Sequence, residues 1–213
     1  MKPEIVASVI ANSQDELEKR YNKVASHVKR IQLDVMDGKF VKSHGLDFPF
    51  ILPEKKYDDT YIEAHLMVAE PLPWIHKHVK DVNLVIIHIE ILEDISSIIS
   101  TIKSLNKQVG IALGPYTDVD AVIPYLDELD MVLVFTADRI GYYGAAFNTS
   151  ALEKITKIRQ LKPSIPIEVD GGITAETIAA VINAGATQCV VGSLLQNSEN
   201  IPQTIKKLHE VIS

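Results

Sequence analysis

Two polar side chains interrupt an otherwise apolar segment in the run Ile31-Gln32-Leu33-Asp34-Val35-Met36-Asp37-Gly38. Residues two apart in an extended strand project from the same face, so Gln32 and Asp34 point to one place. Burying an amide and a carboxylate together costs free energy unless a polar partner receives them. The spacing therefore predicts either a bound ion or substrate beside these two residues or a structural hydrogen-bond network.

Two further strand ends carry residues that could complete such a site. Asp170 ends the run Ile167-Glu168-Val169-Asp170, and His65 lies in Glu63-Ala64-His65-Leu66-Met67. Two carboxyl groups on opposite sides of a carbon beside a carbonyl can remove a proton from one face and return one to the other. A divalent ion held by His65 and the aspartates would stabilise the enediolate formed on the way. The alternative for each aspartate is that it only caps a loop.

Eight short apolar segments alternate with segments of helical periodicity along the chain, and these elements must position the polar residues. The predicted strands span residues 4–10, 30–36, 61–68, 83–89, 108–113, 131–136, 165–170 and 188–192. The predicted helices span residues 14–27, 73–80, 95–105, 119–126, 150–161, 175–184 and 202–212. Val and Ile on both faces of the strands are typical of a parallel sheet that helices cover on both sides.

This order of elements leaves two architectures, a closed (β/α)8 barrel or an open doubly wound sheet. No Gly-x-Gly-x-x-Gly follows the first strand, and polar residues recur at the C-terminal ends of many strands instead of at one switch point. We therefore predict an α/β protein, a single-domain (β/α)8 TIM barrel over residues 1–213. Only residues 39–60 carry no obvious helix.

Composition and charge exclude several classes of function. The net charge is −7 and the 21 Lys and Arg residues are scattered, which argues against a nucleic-acid-binding surface. No apolar run approaches the roughly 18 residues that span a bilayer, so no membrane segment is predicted. The single cysteine, Cys189, lies in an apolar run. We expect a buried, inert thiol, which fits a reducing cytoplasm.

In a barrel of this kind, active sites lie at the C-terminal mouth, where strands end and loops begin. Beside the residues named above, this position selects Ser8, Met36, Met67, His88 and Glu90. Gly171-Gly172 and Gly192-Ser193 follow the last two strands, where barrels commonly bind phosphate with backbone amides. Tight turns also need glycine, so a structural role stays open for these pairs.

In these motifs the chain resembles the ribulose-phosphate 3-epimerase family over nearly its whole length. The matching motifs are Ala7-Ser8-Val9-Ile10, Leu33-Asp34-Val35-Met36-Asp37-Gly38-Lys39-Phe40, His65-Leu66-Met67-Val68, His88-Ile89-Glu90, Ile111-Ala112-Leu113, Glu168-Val169-Asp170-Gly171-Gly172 and Gly192-Ser193. The resemblance implies a barrel of the ribulose-phosphate-binding type, a divalent metal ion (Zn, Mn, Mg or Fe) and inversion at C3 of a ketopentose or ketohexose phosphate.

The resemblance also implies a role for individual residues. Asp34 and Asp170 would be the acid and the base and, together with His65, would be metal ligands. The residues that would contact the substrate or its phosphate are Ser8, Met36, Met67, Gly171, Gly172, Gly192 and Ser193.

The chain departs from the family pattern at two places that concern ligand binding. Gln32 stands where the family has a metal-binding histidine, and an amide oxygen suits a hard ion such as Mg²⁺ or Mn²⁺ better than zinc. We therefore treat Gln32 as a conditional fourth ligand and expect weaker metal binding, a different metal or none. The glycine-rich loop after the sixth strand is rewritten as residues 137–145, where Arg139, Gly141 and Gly144 are candidate phosphate contacts.

These residues lead to one main hypothesis and two alternatives. The main one is a metal-assisted isomerase of carbohydrate metabolism, a ribulose-5-phosphate-like (pentose phosphate) epimerase that uses two bases. The first alternative is a barrel that binds a phosphate ligand without turnover. The second is a related lyase, although Asp34-Val35-Met36-Asp37 lacks the lysine of the Asp-x-Lys-x-x-Asp motif of those enzymes. We expect a small sugar-phosphate partner, a homo-oligomer and a cytoplasmic location.

Overall fold

Strands that are apolar on both faces close into a barrel in the computed structural model, which describes residues 3–53, 60–142 and 144–212. The strands are β1 (Glu4–Val9), β2 (Arg30–Asp37), β3 (His44–Gly45), β4 (Tyr61–Met67), β5 (Leu84–His88), β6 (Gln108–Leu113), β7 (Met131–Phe135), β8 (Ile167–Asp170) and β9 (Gln188–Val191). Except for β3, all neighbours are parallel, and β1 pairs with both β2 and β9, which closes the ring. The predicted (β/α)8 barrel is confirmed.

A short antiparallel strand covers one edge of the barrel mouth. β3 pairs with the end of β2, where Met36 lies opposite Gly45 and Asp37 opposite His44. The backbone N–H of Leu46 donates to the carbonyl of Ala11 at 2.7 Å, which ties this segment to the end of β1. No helix was predicted for residues 39–60, and none occurs in the described part of that segment, which leaves out residues 54–59.

Helices cover the outer face of the sheet. They are α1 (Gln14–Val24), α2 (Pro71–His78), α3 (Ile95–Ser104), α4 (Ala151–Leu161), α5 (Ile178–Ala184), α6 (Ser193–Gln196) and α7 (Ile201–Val211). The side chains of Ser13, Asp94 and Asn200 accept backbone N–H groups at three helix starts. Within the described residues, no helix is both long enough and apolar enough to cross a membrane.

The prediction of a helix at residues 119–126 is wrong. Two 3-10 turns, Val119–Ala121 and Ile123–Tyr125, occupy this segment. Pro124 has no N–H to donate to the carbonyl four residues earlier, so the α-helical hydrogen-bond ladder cannot pass this point. The other predicted helices exist, but their ends differ from the prediction by a few residues because terminal turns are weakly determined by local sequence.

The inside of the barrel is apolar on one side and polar on the other. Strands β5, β6 and β7 contribute a buried apolar cluster that includes Leu84, Ile86, Ala112, Met131, Leu133 and Phe135. Strands β2, β4 and β8 contribute the buried polar residues Gln32, Asp34, Glu63, His65 and Glu168. A larger apolar core packs the helices onto the outside of the sheet. The polar half of the interior is therefore the place where chemistry can be positioned.

A buried ion pair lies on the N-terminal side of this polar half. Arg30 Nη1 lies 2.8 Å from Glu63 Oε2, and its Nε lies 3.3 Å from Glu4 Oε2. Burial, together with the charge of Glu63, raises the pKa of Glu168 well above its usual range. Glu63 precedes His65 by two residues on β4, so this layer directly supports the candidate site.

Candidate active site

Three predicted site residues meet inside the C-terminal mouth of the barrel. Asp34 on β2 and His65 on β4 are register partners in neighbouring strands, and Asp170 ends β8. His65 Nδ1 lies 3.6 Å from Asp34 Oδ1 and 3.4 Å from Asp170 Oδ2. Each residue offers one ligand atom, and these atoms lie within 4.8 Å of one another. Two carboxylates and one imidazole nitrogen therefore face a common point.

Gln32 joins this group through its side-chain amide. Its Nε2 donates to Asp34 Oδ1 at 2.8 Å and to Asp170 Oδ2 at 2.9 Å, whereas its buried Oε1 has no hydrogen-bond partner. A half-turn of the amide would exchange the two atoms and place an oxygen beside both carboxylates. Three oxygens and one imidazole nitrogen form a donor set that suits a divalent cation such as Mn²⁺ or Mg²⁺. The residues present thus fit the metal ion that the sequence predicts.

The protonation of these groups reflects their burial and their mutual charges. Burial, together with the charge of Asp170, raises the pKa of Asp34, and the opposing contacts with His65 and Gln32 do not cancel this shift. Burial alone would lower the pKa of His65, but hydrogen bonding and charge from Asp170 and Asp34 raise it to about 9. A cation that binds here competes with a proton on His65, because only a neutral imidazole can act as a ligand.

The second ring nitrogen of His65 faces away from the aspartates. His65 Nε2 lies 2.9 Å from His88 Nε2 at the end of β5, and His88 Nδ1 lies 2.9 Å from Glu90 Oε2. Glu90 Oε1 accepts the backbone N–H of Gly114 at 2.7 Å and the hydroxyl of Thr117. His65 is thus held from behind by a continuous row of hydrogen bonds.

Asp37 shows what a purely structural aspartate looks like in this mouth. Its Oδ1 accepts the backbone N–H groups of Lys39 and Phe40 at 2.9 Å, and its Oδ2 accepts that of Ala69 at 2.8 Å. Burial opposes the effect, but these backbone donors lower the pKa of Asp37. Asp37 has the loop-capping role that the sequence left open as an alternative for Asp34 and Asp170, whereas the contacts of Asp34 are with polar side chains.

A cavity of about 360 Å³ opens above the two aspartates. Its wall contains many of the residues predicted to bind substrate or phosphate, namely Ser8, Met67, Gly141, Gly144, Gly171, Gly172, Gly192 and Ser193. The cavity also contains Asp34 and Asp170, so the proposed acids and the glycine-rich turns belong to one space.

Close backbone contact explains two of the glycines in this wall. Gly171 has φ +106°, and a Cβ there would lie 2.6 Å from Ala137 Cβ. Gly172 has φ +68°, and its Cβ would lie 2.9 Å from the Cα of Phe147. Both the left-handed backbone and the lack of space require glycine, so these residues have a structural role whatever they bind.

Two residues predicted to bind substrate do not line this cavity. Met36 is buried under the turn at Gly141, where its Sδ lies 3.1 Å from the position of an added Cβ. Arg139 lines an adjoining cavity of about 600 Å³, and its guanidinium lies 5.4 Å from the centroid of the Tyr142 ring. Arg139 belongs to the loop after β7, and Met36 lies against Gly141 of the same loop. Local sequence does not predict the conformation of this loop.

Sequence reasoning missed several residues of the cavity wall, including Phe135 and Phe147. Phe135 ends β7, so the strand-end rule that selected Asp170 could have selected it as well. Phe147 reaches the cavity because the loop folds back and forms an antiparallel bridge with Ala137. No local signal in the sequence indicates this bridge.

Comparison with known proteins agrees with this geometry. The model of the ribulose-phosphate 3-epimerase family matches residues 4–196. The chain belongs to this family. A ribulose-phosphate 3-epimerase of Schizosaccharomyces pombe is 29% identical and covers 100% of this chain and 95% of its own. The cytoplasmic isoform of Oryza sativa is 30% identical and covers 99% of this chain and 92% of its own. The ribulose-phosphate 3-epimerase of Buchnera aphidicola is 34% identical and covers 85% of this chain and 83% of its own.

Solved structures with the same fold carry other names. A 3-hexulose-6-phosphate synthase is 22% identical, covers 99% of this chain and 100% of its own, and has a TM-score of 0.70. The 3-keto-L-gulonate-6-phosphate decarboxylase of Vibrio cholerae is 15% identical, covers 100% of this chain and 98% of its own, and has a TM-score of 0.72. At these identities the similarity concerns the barrel fold alone.

Proposed function

We propose that the protein is a sugar-phosphate epimerase that inverts C3 of a ribulose-5-phosphate-like ketopentose phosphate. The observation that carries the proposal is the approach of Asp34 and Asp170 to one point in the cavity, with His65 between them. Membership of the ribulose-phosphate 3-epimerase family supports the same reaction. A ketohexose phosphate remains a second substrate to test, because the loop at residues 137–145 differs from the family pattern.

Asp34 and Asp170 would exchange protons with the two faces of C3. One carboxylate removes the C3 proton and becomes a carboxylic acid, while the other enters as the acid and protonates the opposite face of the enediolate. The raised pKa of Asp34 supports this division, because one of the two groups must hold a proton at neutral pH. The roles reverse in the opposite direction of the reaction.

Asp34, His65 and Asp170 would hold a divalent cation, with the Gln32 amide oxygen as a conditional fourth ligand. Such a cation would stabilise the negative charge of the enediolate. Zn, Mn, Mg and Fe are all compatible with these ligand types, and an amide oxygen favours Mn or Mg over zinc. His65, held by His88 on its far side, would keep its other nitrogen directed at the aspartates.

The rest of the cavity would bind and orient the substrate. Backbone amides of Gly171, Gly172, Gly192 and Ser193 are candidates for the phosphate, because glycine lets a ligand approach the backbone closely. Ser8 would contact a substrate hydroxyl, and Met67 would give the reacting carbons an apolar contact. Gly141 and Gly144, in the loop after β7, also line the cavity, where they would exclude water from the enediolate.

A barrel that binds phosphate without turnover is the second candidate, and one observation favours it. The Gln32 amide nitrogen donates to both aspartates, and these hydrogen bonds could hold the acids in place without a metal ion. The lyase alternative has less support in the site, since Met36 stands where the lyase motif has its lysine.

Solvent deuterium exchange distinguishes these functions. The protein is incubated with ribulose 5-phosphate and other ketose phosphates in D₂O with Mn²⁺, and deuterium at C3 is measured by mass spectrometry. We expect exchange with at least one ketose, and its loss in both Asp34→Asn and Asp170→Asn. Asp47→Asn, which changes an acid outside the cavity, is the control. Absence of exchange with every ketose refutes the epimerase, and calorimetric binding without exchange supports the second candidate.

We also propose a cytoplasmic location and a homo-oligomer. A relative named as the cytoplasmic isoform supports the first. Light scattering after gel filtration tests the second, and a mass equal to one 23.6 kDa chain would contradict it.

A further inference from the structure

A row of three side chains leads away from the candidate metal site to the loop after β6. It runs from His65 through His88 to Glu90. His65 Nε2 lies 2.9 Å from His88 Nε2, and His88 Nδ1 lies 2.9 Å from Glu90 Oε2. We propose that Glu90, acting through His88, decides which ring nitrogen of His65 carries the proton and thereby keeps His65 Nδ1 free to bind a cation. The proposal makes His88 and Glu90 positioning residues, and its consequence for cation binding rests on the proposed function.

The first step is that Glu90 acts as an acceptor at both of its oxygens. Oε1 accepts the backbone N–H of Gly114 at 2.7 Å and the hydroxyl of Thr117, and Oε2 faces His88 Nδ1. A backbone N–H can only donate, so Oε1 cannot carry a proton directed at Gly114. Burial opposes ionisation, but the contacts with His88, Thr117 and Gly114 lower the pKa of Glu90 to about 2. Glu90 is therefore a carboxylate, and His88 Nδ1 must donate to it.

The second step is that the position of the proton on the His88 ring fixes the position of the proton on the His65 ring. His88 is fully buried, and its ring lies 4.7 Å from that of Phe40 and 5.0 Å from that of His65, measured between centroids. A neutral imidazole with its proton on Nδ1 has a lone pair on Nε2. His88 Nε2 therefore accepts a hydrogen bond from His65 Nε2. A neutral His65 with its proton on Nε2 has its lone pair on Nδ1, the atom that faces Asp34 and Asp170.

The loop that carries the donors is itself held in place. Lys154 Nζ donates to the carbonyls of Gly114 and Pro115, both at 2.8 Å. This fixes the backbone N–H of Gly114 opposite Glu90 Oε1. The direction of the hydrogen bonds along the row is therefore set by the backbone N–H of Gly114, which can only donate.

These steps predict that Glu90→Gln reverses the direction of the hydrogen bonds along the row. Gly114 N–H requires the oxygen of the new amide, so the amide NH₂ has to face His88 Nδ1 and donate to it. His88 then carries its proton on Nε2 and donates to His65 Nε2. A neutral His65 is left with its proton on Nδ1, directed at the aspartates, where it blocks a cation. Glu90→Gln preserves size, so the effect comes from the direction of hydrogen bonding.

The matched control is Thr117→Val. It removes another hydrogen bond to the same Glu90 oxygen, but it preserves the carboxylate and hence the direction of the row. Calorimetric titration with Mn²⁺ should show binding to Glu90→Gln that is weaker than wild type by about 10- to 100-fold, the range usual for a residue that orients a metal ligand. Binding to Thr117→Val should change by less than about 3-fold, because only one neutral donor is lost.

A second measurement needs no metal ion. Long-range ¹⁵N–¹H spectra of the histidine-labelled apoprotein, recorded above pH 9 where His65 is neutral, show directly which ring nitrogen of His88 is protonated. We expect Nδ1 in the wild type and in Thr117→Val, and Nε2 in Glu90→Gln. A wild-type His88 protonated on Nε2 overturns the proposal even if every variant fails to fold. Equal loss of Mn²⁺ affinity in both variants also overturns it, because a merely structural role would predict that result.

The two measurements separate this proposal from the proposed function. If the wild type binds no Mn²⁺, the metal-assisted epimerase is refuted at this site, while the His88 tautomer still tests the row from Glu90 to His65. If the wild type binds Mn²⁺ and Glu90→Gln binds it equally well, the row is irrelevant to the cation and the proposal fails alone.

Discussion

Replacing Gln32 with histidine should tighten the binding of a divalent cation by Asp34, His65 and Asp170. The Gln32 amide nitrogen donates to Asp34 Oδ1 at 2.8 Å and to Asp170 Oδ2 at 2.9 Å. For its oxygen to reach a cation, the amide has to turn and give up both hydrogen bonds. A neutral imidazole at this position offers a lone pair without that loss.

The expected magnitude follows from these two hydrogen bonds. A hydrogen bond to a charged group contributes about 1.5–3 kcal/mol, and two at the lower bound contribute about 3 kcal/mol. At 1.4 kcal/mol for each factor of ten, that corresponds to roughly a hundredfold gain in affinity. Zinc should gain more than Mg²⁺, because imidazole is a common zinc ligand and Mg²⁺ prefers oxygen.

Competition with a chromophoric chelator at one pH measures this gain for Zn²⁺ and Mg²⁺ in both proteins. Gln203→His, which adds a histidine at an exposed position of α7, controls for adventitious binding. If Gln32→His melts like the wild type yet binds Zn²⁺ no more tightly, the amide does not compete with a cation and our account of Gln32 is refuted.

Three further substitutions test the barrel and the loops around the site. Arg30→Met should destabilise the protein by about 3–5 kcal/mol at pH 8, the cost of leaving a buried charge unpaired. The loss should be smaller at pH 5, because burial raises the pKa of folded Glu63 and the carboxyl can be protonated there. The free energy cost of burying the Glu63 charge grows only as the pH rises above the pKa of the unfolded state. Equal losses in urea denaturation at both pH values would contradict this. Gly144→Ala should cost about 1–2 kcal/mol for its positive φ alone, because no atom lies within 4 Å of the added Cβ. Gly172→Ala should cost about 1–3 kcal/mol more, because its Cβ would press on the backbone of Phe147; similar melting temperatures for the two would disprove the close contact.

Much of the fold could be predicted from the sequence because it depends on local patterns. Apolar residues on both faces of short segments predict parallel strands, and all eight barrel strands occur where predicted. The apolar periodicity of residues 119–126 predicts a helix, but Pro124 interrupts it and the segment forms two 3-10 turns. This difference can be read from the sequence, since the missing N–H of proline is a local property.

The candidate site could be predicted only in part. Asp34, His65 and Asp170 follow from the strand-end rule, and they do meet. The position of Arg139 in the adjoining cavity could not be predicted, because the loop after β7 is shaped by a bridge between Ala137 and Phe147. The sequence selected His88 and Glu90 as residues of the mouth, yet it did not indicate that they join His65 in one row.

The sequence alone determined which side chains of a strand share a face, because the two-residue period of a strand is a local property. Gln32 and Asp34 share a face for that reason, whatever the rest of the chain does. Only the tertiary structure decided which atoms meet. Closure of the ring brings Asp170 to Gln32 from 138 residues away, and the backbone N–H of Gly114 orients Glu90. Distances across a barrel and directions of hydrogen bonds depend on strand pairing around the whole ring, and no local segment contains that information.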